Sequence, residues 1–169
     1  VGYGGNALLP AVDLEMTCGQ FWAVVGRNGS GKTTFFKTLL GLIPPVSGRV
    51  EHPGGPVRIA YLAQRATFDA LYPVSVLQVV AMGTVHGWSF LKPSLGKDRV
   101  AAKQALEEVG LAHVAQRTFR SLSEGQKQRV LFARMIASGA PIALLDEPAV
   151  AMDAVAEREA MKLLDSLRR

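Results

Sequence analysis

The chain has 169 residues, 49% hydrophobic and 20% charged, with one cysteine and a net charge of +5. This composition describes one domain with an ordinary core, neither disordered nor held by internal disulfides, and no apolar run is long enough to cross a bilayer. The basic residues are scattered among acids rather than gathered in a stripe, which argues against nucleic acid as a partner.

Residues 1 to 63 are expected to be rich in strand, with one helix. Cys18 is expected to be a small, partly buried apolar residue. The apolar run Phe21 to Val25 predicts a buried strand. It leads into Gly26-Arg27-Asn28-Gly29-Ser30-Gly31-Lys32-Thr33, which fits the phosphate-loop pattern G-x-x-x-x-G-K-[ST] at every fixed position. Glycines let the backbone approach a polyphosphate and turn successive N–H groups toward it. Lys32 is the candidate for the β- and γ-phosphates of ATP, and the Thr33 hydroxyl is the candidate ligand for Mg²⁺. A helix from Thr34 to about Leu42 follows, with Phe35, Phe36, Leu39 and Leu40 as its apolar side, and it adds a positive N-terminal end. Gly26, Asn28, Gly29, Ser30, Gly31 and Thr34 complete the candidate nucleotide contacts. Pro44-Pro45-Val46-Ser47-Gly48 predicts the turn that stops this helix.

Val57 to Leu62 predicts a strand running to Gln64. From about Thr67 to Val130 the pattern is helical. Ser75 can cap a helix through Met82. Asp98 to Val109 carries Val100, Ala101, Ala105, Leu106 and Val109 at helical spacing and closes at Gly110. Ser123 can cap a helix from Glu124 to Ala137. Capping alone is its simplest role, but a serine with small residues at a helix start also makes a candidate second phosphate site. The sheet resumes at Ile142 to Leu145 and ends in Asp146-Glu147-Pro148. Two acids at the C-terminal end of a parallel strand stand where open α/β sheets bind ligands. Asp146 would hold Mg²⁺ and Glu147 would orient the attacking water. A last helix is expected from Ala154 to Leu167. His52, His86 and His113 are widely spaced, show no metal-ligand pattern and are expected to be exposed.

Leu122-Ser123-Glu124-Gly125-Gln126 resembles the signature of the ABC ATPases, usually written LSGGQ, with Glu124 in place of the first glycine. Other marks of that family fall in order. Tyr3 sits where the family places an aromatic that stacks on adenine. Gln64, within Tyr61-Leu62-Ala63-Gln64-Arg65, matches the Q-loop glutamine, which would contact Mg²⁺ and the γ-phosphate. Asp153 falls at the D-loop position. The resemblance implies an α/β fold, a P-loop NTPase core with a mainly parallel sheet and an inserted helical subdomain. Residues 1–66 and 131–169 would form the core, and 67–130 the helical part with the signature. It also implies a head-to-tail dimer of two copies. Each ATP would lie between Lys32 and Thr33 of one copy and Ser123, Gly125 and Gln126 of the other. Both ends are expected to be truncated, because the chain begins at Val1 and no histidine follows Glu147 to act as the family's switch histidine. Hydrolysis by this piece alone is therefore expected to be weak or absent.

The stretch around Gln64 carries the subtype. Ala60-Tyr61-Leu62-Ala63-Gln64-Arg65, Asp69, Tyr72-Pro73-Val74-Ser75-Val76 and Val79-Val80-Ala81-Met82-Gly83 resemble the ATPase subunits of bacterial importers for zinc, manganese or iron. Their text there is close to YVPQR followed by an acid and FPVTV. The resemblance implies a peripheral subunit on the cytoplasmic face of the bacterial cell membrane. Its partners would be a transmembrane permease and a periplasmic or surface substrate-binding protein, and the metal would pass through the permease. An iron-chelate or cobalamin importer, a non-transport ABC ATPase, and an ATP-binding module that does not hydrolyse are the alternatives.

Overall fold

The computed structural model describes residues 1–63, 73–85 and 96–146, apart from the side chain of Tyr3. The helix expected from Ala154 to Leu167 lies outside these residues, as does His86. In chain order the elements are β1 (Gly2–Tyr3), β2 (Asn6–Ala7), α1 (Lys32–Leu39), β3 (Ile59–Leu62), α2 (Val76–Ala81) and α3 (Gly96–Glu108). Short 3-10 turns at Ala112–Val114 and Phe119–Ser121 then lead to α4 (Glu124–Ala137) and β4 (Ile142–Leu145).

Helices α2, α3 and α4 pack on one another and carry most of the core. Their starts are set by local chemistry. Ser75 and Ser123 each accept from the amide three residues on, Gln78 and Gln126, whose side chains bond back to the serine amides. Two capping boxes of this kind fix where α2 and α4 begin. The buried stripe of α3 is Ala102, Ala105, Leu106, with Val109 just beyond its end, a spacing of three and four that puts one face inward. Val100, expected on that face, is instead 55% exposed. It lies about 200° around the helix from Ala102, so one face cannot bury both. Gly83 brings the end of α2 against the backbone of α4. A Cβ there would run into the Arg134 carbonyl oxygen, so no larger residue fits.

β3 and β4 pair in parallel, with Tyr61 opposite Leu144 and Leu62 opposite Leu145, and the Asp146 amide continues the ladder to Leu62 O at 2.9 Å. Arg58, just before β3, donates to the Ser138 and Gly139 carbonyls at 2.9 Å each. A guanidinium there satisfies the open carbonyl end of α4 and locks that helix to the sheet.

The first 63 residues hold less strand than expected. β1 and β2 are two residues each, in an antiparallel pair. Phe21 to Val25 is not a strand, and Phe21 is 55% and Val25 92% exposed. A strand borrows its hydrogen bonds from a neighbour in register, and within the described residues β3 and β4 pair with each other. The run instead follows a local turn. Gln20 accepts from the Thr17 amide and the Trp22 indole, both at 3.0 Å, side-chain bonding that competes with a ladder. Cys18 in this turn is exposed rather than partly buried. Helix α1 also ends earlier than expected, at Leu39. Gly41 takes φ 70°, and its amide and that of Leu42 bond back to Thr38 O and Lys37 O. That glycine cap stops the helix before the prolines are reached. The most buried residues of α1 are Thr34 and Thr38, while Phe35, Phe36, Leu39 and Leu40 are half-buried.

Candidate functional site

The phosphate loop connects to α1 through Gly31, which caps the helix with φ 94° and without a side-chain hydrogen bond. A residue with a Cβ would be strained in that left-handed conformation. Ser30 N closes a turn to Arg27 O at 3.1 Å. The Lys32 ammonium folds back over the loop and donates to Gly26 O at 2.9 Å and Arg27 O at 3.2 Å. A cation is thus held above a helix N-terminus, the arrangement that attracts a polyphosphate.

Asp146 lies at the C-terminal end of β4 and is 2% exposed. Its Oδ2 accepts from the Thr33 hydroxyl at 2.7 Å, across 113 positions of sequence. The structure therefore joins two of the three candidate metal-binding residues, Thr33 and Asp146. Mg²⁺ typically takes one or two protein oxygens and completes its shell with phosphate oxygens and water. A buried carboxylate beside a hydroxyl is the hard-oxygen set that this requires. Among the described residues there is no cluster of three or more acidic, histidine or cysteine side chains that could hold a metal by itself.

Tyr61, which sequence reasoning did not single out as a site residue, donates its hydroxyl to the same Asp146 oxygen at 3.3 Å. Partial burial pushes the Tyr61 phenol above its ordinary range, with the Asp146 charge and the hydrogen bond acting in the same direction. The phenol is thus a protonated donor at neutral pH. The available signal was a tyrosine in an apolar strand, three residues before Gln64.

Ser123, Gly125 and Gln126 form the start of α4, where Ser123 Oγ accepts from Gln126 N at 3.3 Å. Its hydroxyl proton can still be donated. Helix α2 differs at the same place. There the Val76 and Leu77 amides are consumed by Arg117 O and Ala115 O, both at 2.9 Å. Within the described residues no such acceptor covers the Glu124 and Gly125 amides. Glu124 pairs with Lys127 at 2.6 Å. Gln64, Glu147 and Asp153 lie outside the described residues, as does the side chain of Tyr3.

The ABC transporter family model matches residues 9–150. The chain is 38% identical over 173 residues to the manganese transport system ATP-binding protein MntB of Bacillus subtilis, covering 99% of this chain and 69% of that protein. It is 38% identical over 168 residues to the zinc import ATP-binding protein ZnuC of Pseudomonas putida, covering 99% and 61%. Among solved structures, it resembles an inward-facing ABC transporter assigned to the metal-chelate type. The TM-score is 0.83 at 38% identity, over 93% of this chain and 61% of that one. It also resembles the dimeric ATP-binding cassette MJ0796 bound to ADP and Pi, with TM-score 0.75 at 27% identity, over 96% and 75%. The fold is accordingly the expected one, a P-loop α/β core with a helical subdomain.

Proposed function

This chain belongs to the ABC transporter family, among its ATP-binding subunits, and we propose that it binds and hydrolyses Mg-ATP as one half of a dimer to power import of a metal ion. The observation that carries the ATPase reading is the Thr33–Asp146 hydrogen bond at 2.7 Å, which brings the phosphate loop and the acidic strand end into one site. Thr33 and Asp146 would hold Mg²⁺. When bound, the ion supplies positive charge against the phosphate oxygens. Lys32 binds the β- and γ-phosphates, and the loop amides and the start of α1 orient them. The other assignments rest on place in the sequence. Tyr3 stacks on adenine, Gln64 contacts the metal and γ-phosphate, Glu147 orients the attacking water, and Asp153, at the D-loop position, contributes to nucleotide binding. Ser123, Gly125 and Gln126 face the phosphate of the other copy, and the uncovered amides at the start of α4 support that role. In this reading residues 1–66 and 131–169 form the core and 67–130 the helical part.

Metal-ion import is supported by the relatives, named for manganese and zinc transport. The chain spans between 58% and 72% of the length of these and similar relatives. The permease that carries the ion is a separate chain, with a periplasmic or surface binding protein delivering it and this subunit at the cytoplasmic face of the membrane.

Lys32→Ala should lose about 2–4 kcal/mol of Mg-ATP binding by calorimetry, the worth of a charge-assisted contact to phosphate. Unchanged affinity would remove the phosphate-loop reading. Cells lacking the protein should hold less manganese or zinc when the metal is scarce. Equal metal content would leave the ATPase reading standing without the import role.

A further inference from the structure

We propose that Tyr61 is a positioning residue for the Asp146 carboxylate, holding it from strand β3 in the orientation that serves Mg²⁺. The inference rests on the Mg-ATP reading of the site. Tyr61 is opposite Leu144 in the parallel register, and Asp146 lies two residues beyond Leu144. Side chains two apart on a strand share a face, so the register itself sets Tyr61 beside Asp146. The Asp146 amide bonds to Leu62 O at 2.9 Å, so the end of β4 is tied to β3 at that level.

Two hydroxyls then meet one carboxylate oxygen. Thr33 donates to Asp146 Oδ2 at 2.7 Å and Tyr61 donates to it at 3.3 Å. The two donors come from separate elements, α1 and β3. A buried carboxylate tied to Thr33 alone would follow any movement of that hydroxyl. The second tether, from the sheet, keeps it in place when the Thr33 oxygen turns its lone pair to a metal. Outer partners of this type orient a ligand and raise metal affinity without touching the metal. Tyr61 is also only three residues from Gln64, so β3 carries one group that braces the metal-binding acid and leads to another proposed to touch the metal.

Tyr61→Phe keeps the ring and removes only the hydroxyl. Mn²⁺ serves as the probe, titrated by electron paramagnetic resonance against the protein with ATP. ATP affinity is also measured in EDTA. Tyr61→Phe should raise the Mn²⁺ concentration for half-saturation about 10-fold, the lower end for outer-shell partners, and leave metal-free ATP affinity unchanged. Asp146→Asn run alongside should lose Mn²⁺ more completely. Wild-type Mn²⁺ binding in Tyr61→Phe, with Asp146→Asn impaired, overturns the role of Tyr61 and leaves the site reading intact. Wild-type binding in both variants overturns both. An equal loss of ATP affinity with and without metal shows that the hydroxyl supports only folding, and also overturns the proposal.

Discussion

Helices α2 to α4 and the stretch from Leu8 to Val25 are both rich in large apolar residues, but they use them differently. In the helices Val76, Val79, Val80, Val130 and Phe132 are fully buried. In the earlier stretch Leu8, Val12, Phe21, Trp22 and Val25 remain exposed. A helix satisfies its own backbone, so its apolar stripe needs only another stripe to pack against. An apolar extended run must find a ladder as well as a core. The phosphate loop begins directly after such a run, so its placement depends on glycine geometry, the folded-back Lys32 and the bond from Thr33 to Asp146.

The largest expected effect breaks this comparison at its stronger side. Phe132→Ala removes a fully buried ring and should cost about 3–5 kcal/mol in urea unfolding. Phe21→Ala removes a ring that is 55% exposed and should cost less than about 1 kcal/mol. Similar losses in the two variants would mean that the Leu8 to Val25 stretch is packed in solution as firmly as the helices.

The same contrast explains what was legible beforehand. The starts of α4 and α2 follow from Ser123 and Ser75, because a capping box is written within four residues. The phosphate-loop text likewise announces its turn and its helix. Phe21 to Val25 misled because an apolar run does not name its strand partner. Val100 misled because several faces of α3 carry apolar residues and only the packed neighbours choose among them. The joining of Thr33 to Asp146 was expected in role, through a shared Mg²⁺. The place of Tyr61 was not, because cross-strand register is a tertiary fact that no local pattern encodes.

The smallest effect tests the start of α4, where Glu124 replaces a small residue of the signature. The Glu124 side chain is 70% exposed and the Lys127 side chain 26% exposed, and their charged ends meet at 2.6 Å. An exposed pair contributes little to stability, so Glu124→Gly and Lys127→Ala should each change the unfolding free energy by no more than about 1 kcal/mol. The pair matters more for charge beside the proposed phosphate site. With Lys127 cancelling it, the pair is nearly neutral toward phosphate, and Glu124→Gly, which leaves the Lys127 ammonium alone, should strengthen ATP-driven dimerisation by about 1 kcal/mol after screening. Lys127→Ala uncovers the carboxylate and should weaken the dimer by about 1 kcal/mol after screening. The double variant should return to the wild-type level. A Glu147→Gln background, which is expected to slow hydrolysis by about 10²–10⁴, keeps the dimer in place for sedimentation measurements. A double variant that dimerises more strongly than wild type would show that Lys127 does not neutralise this end of the helix.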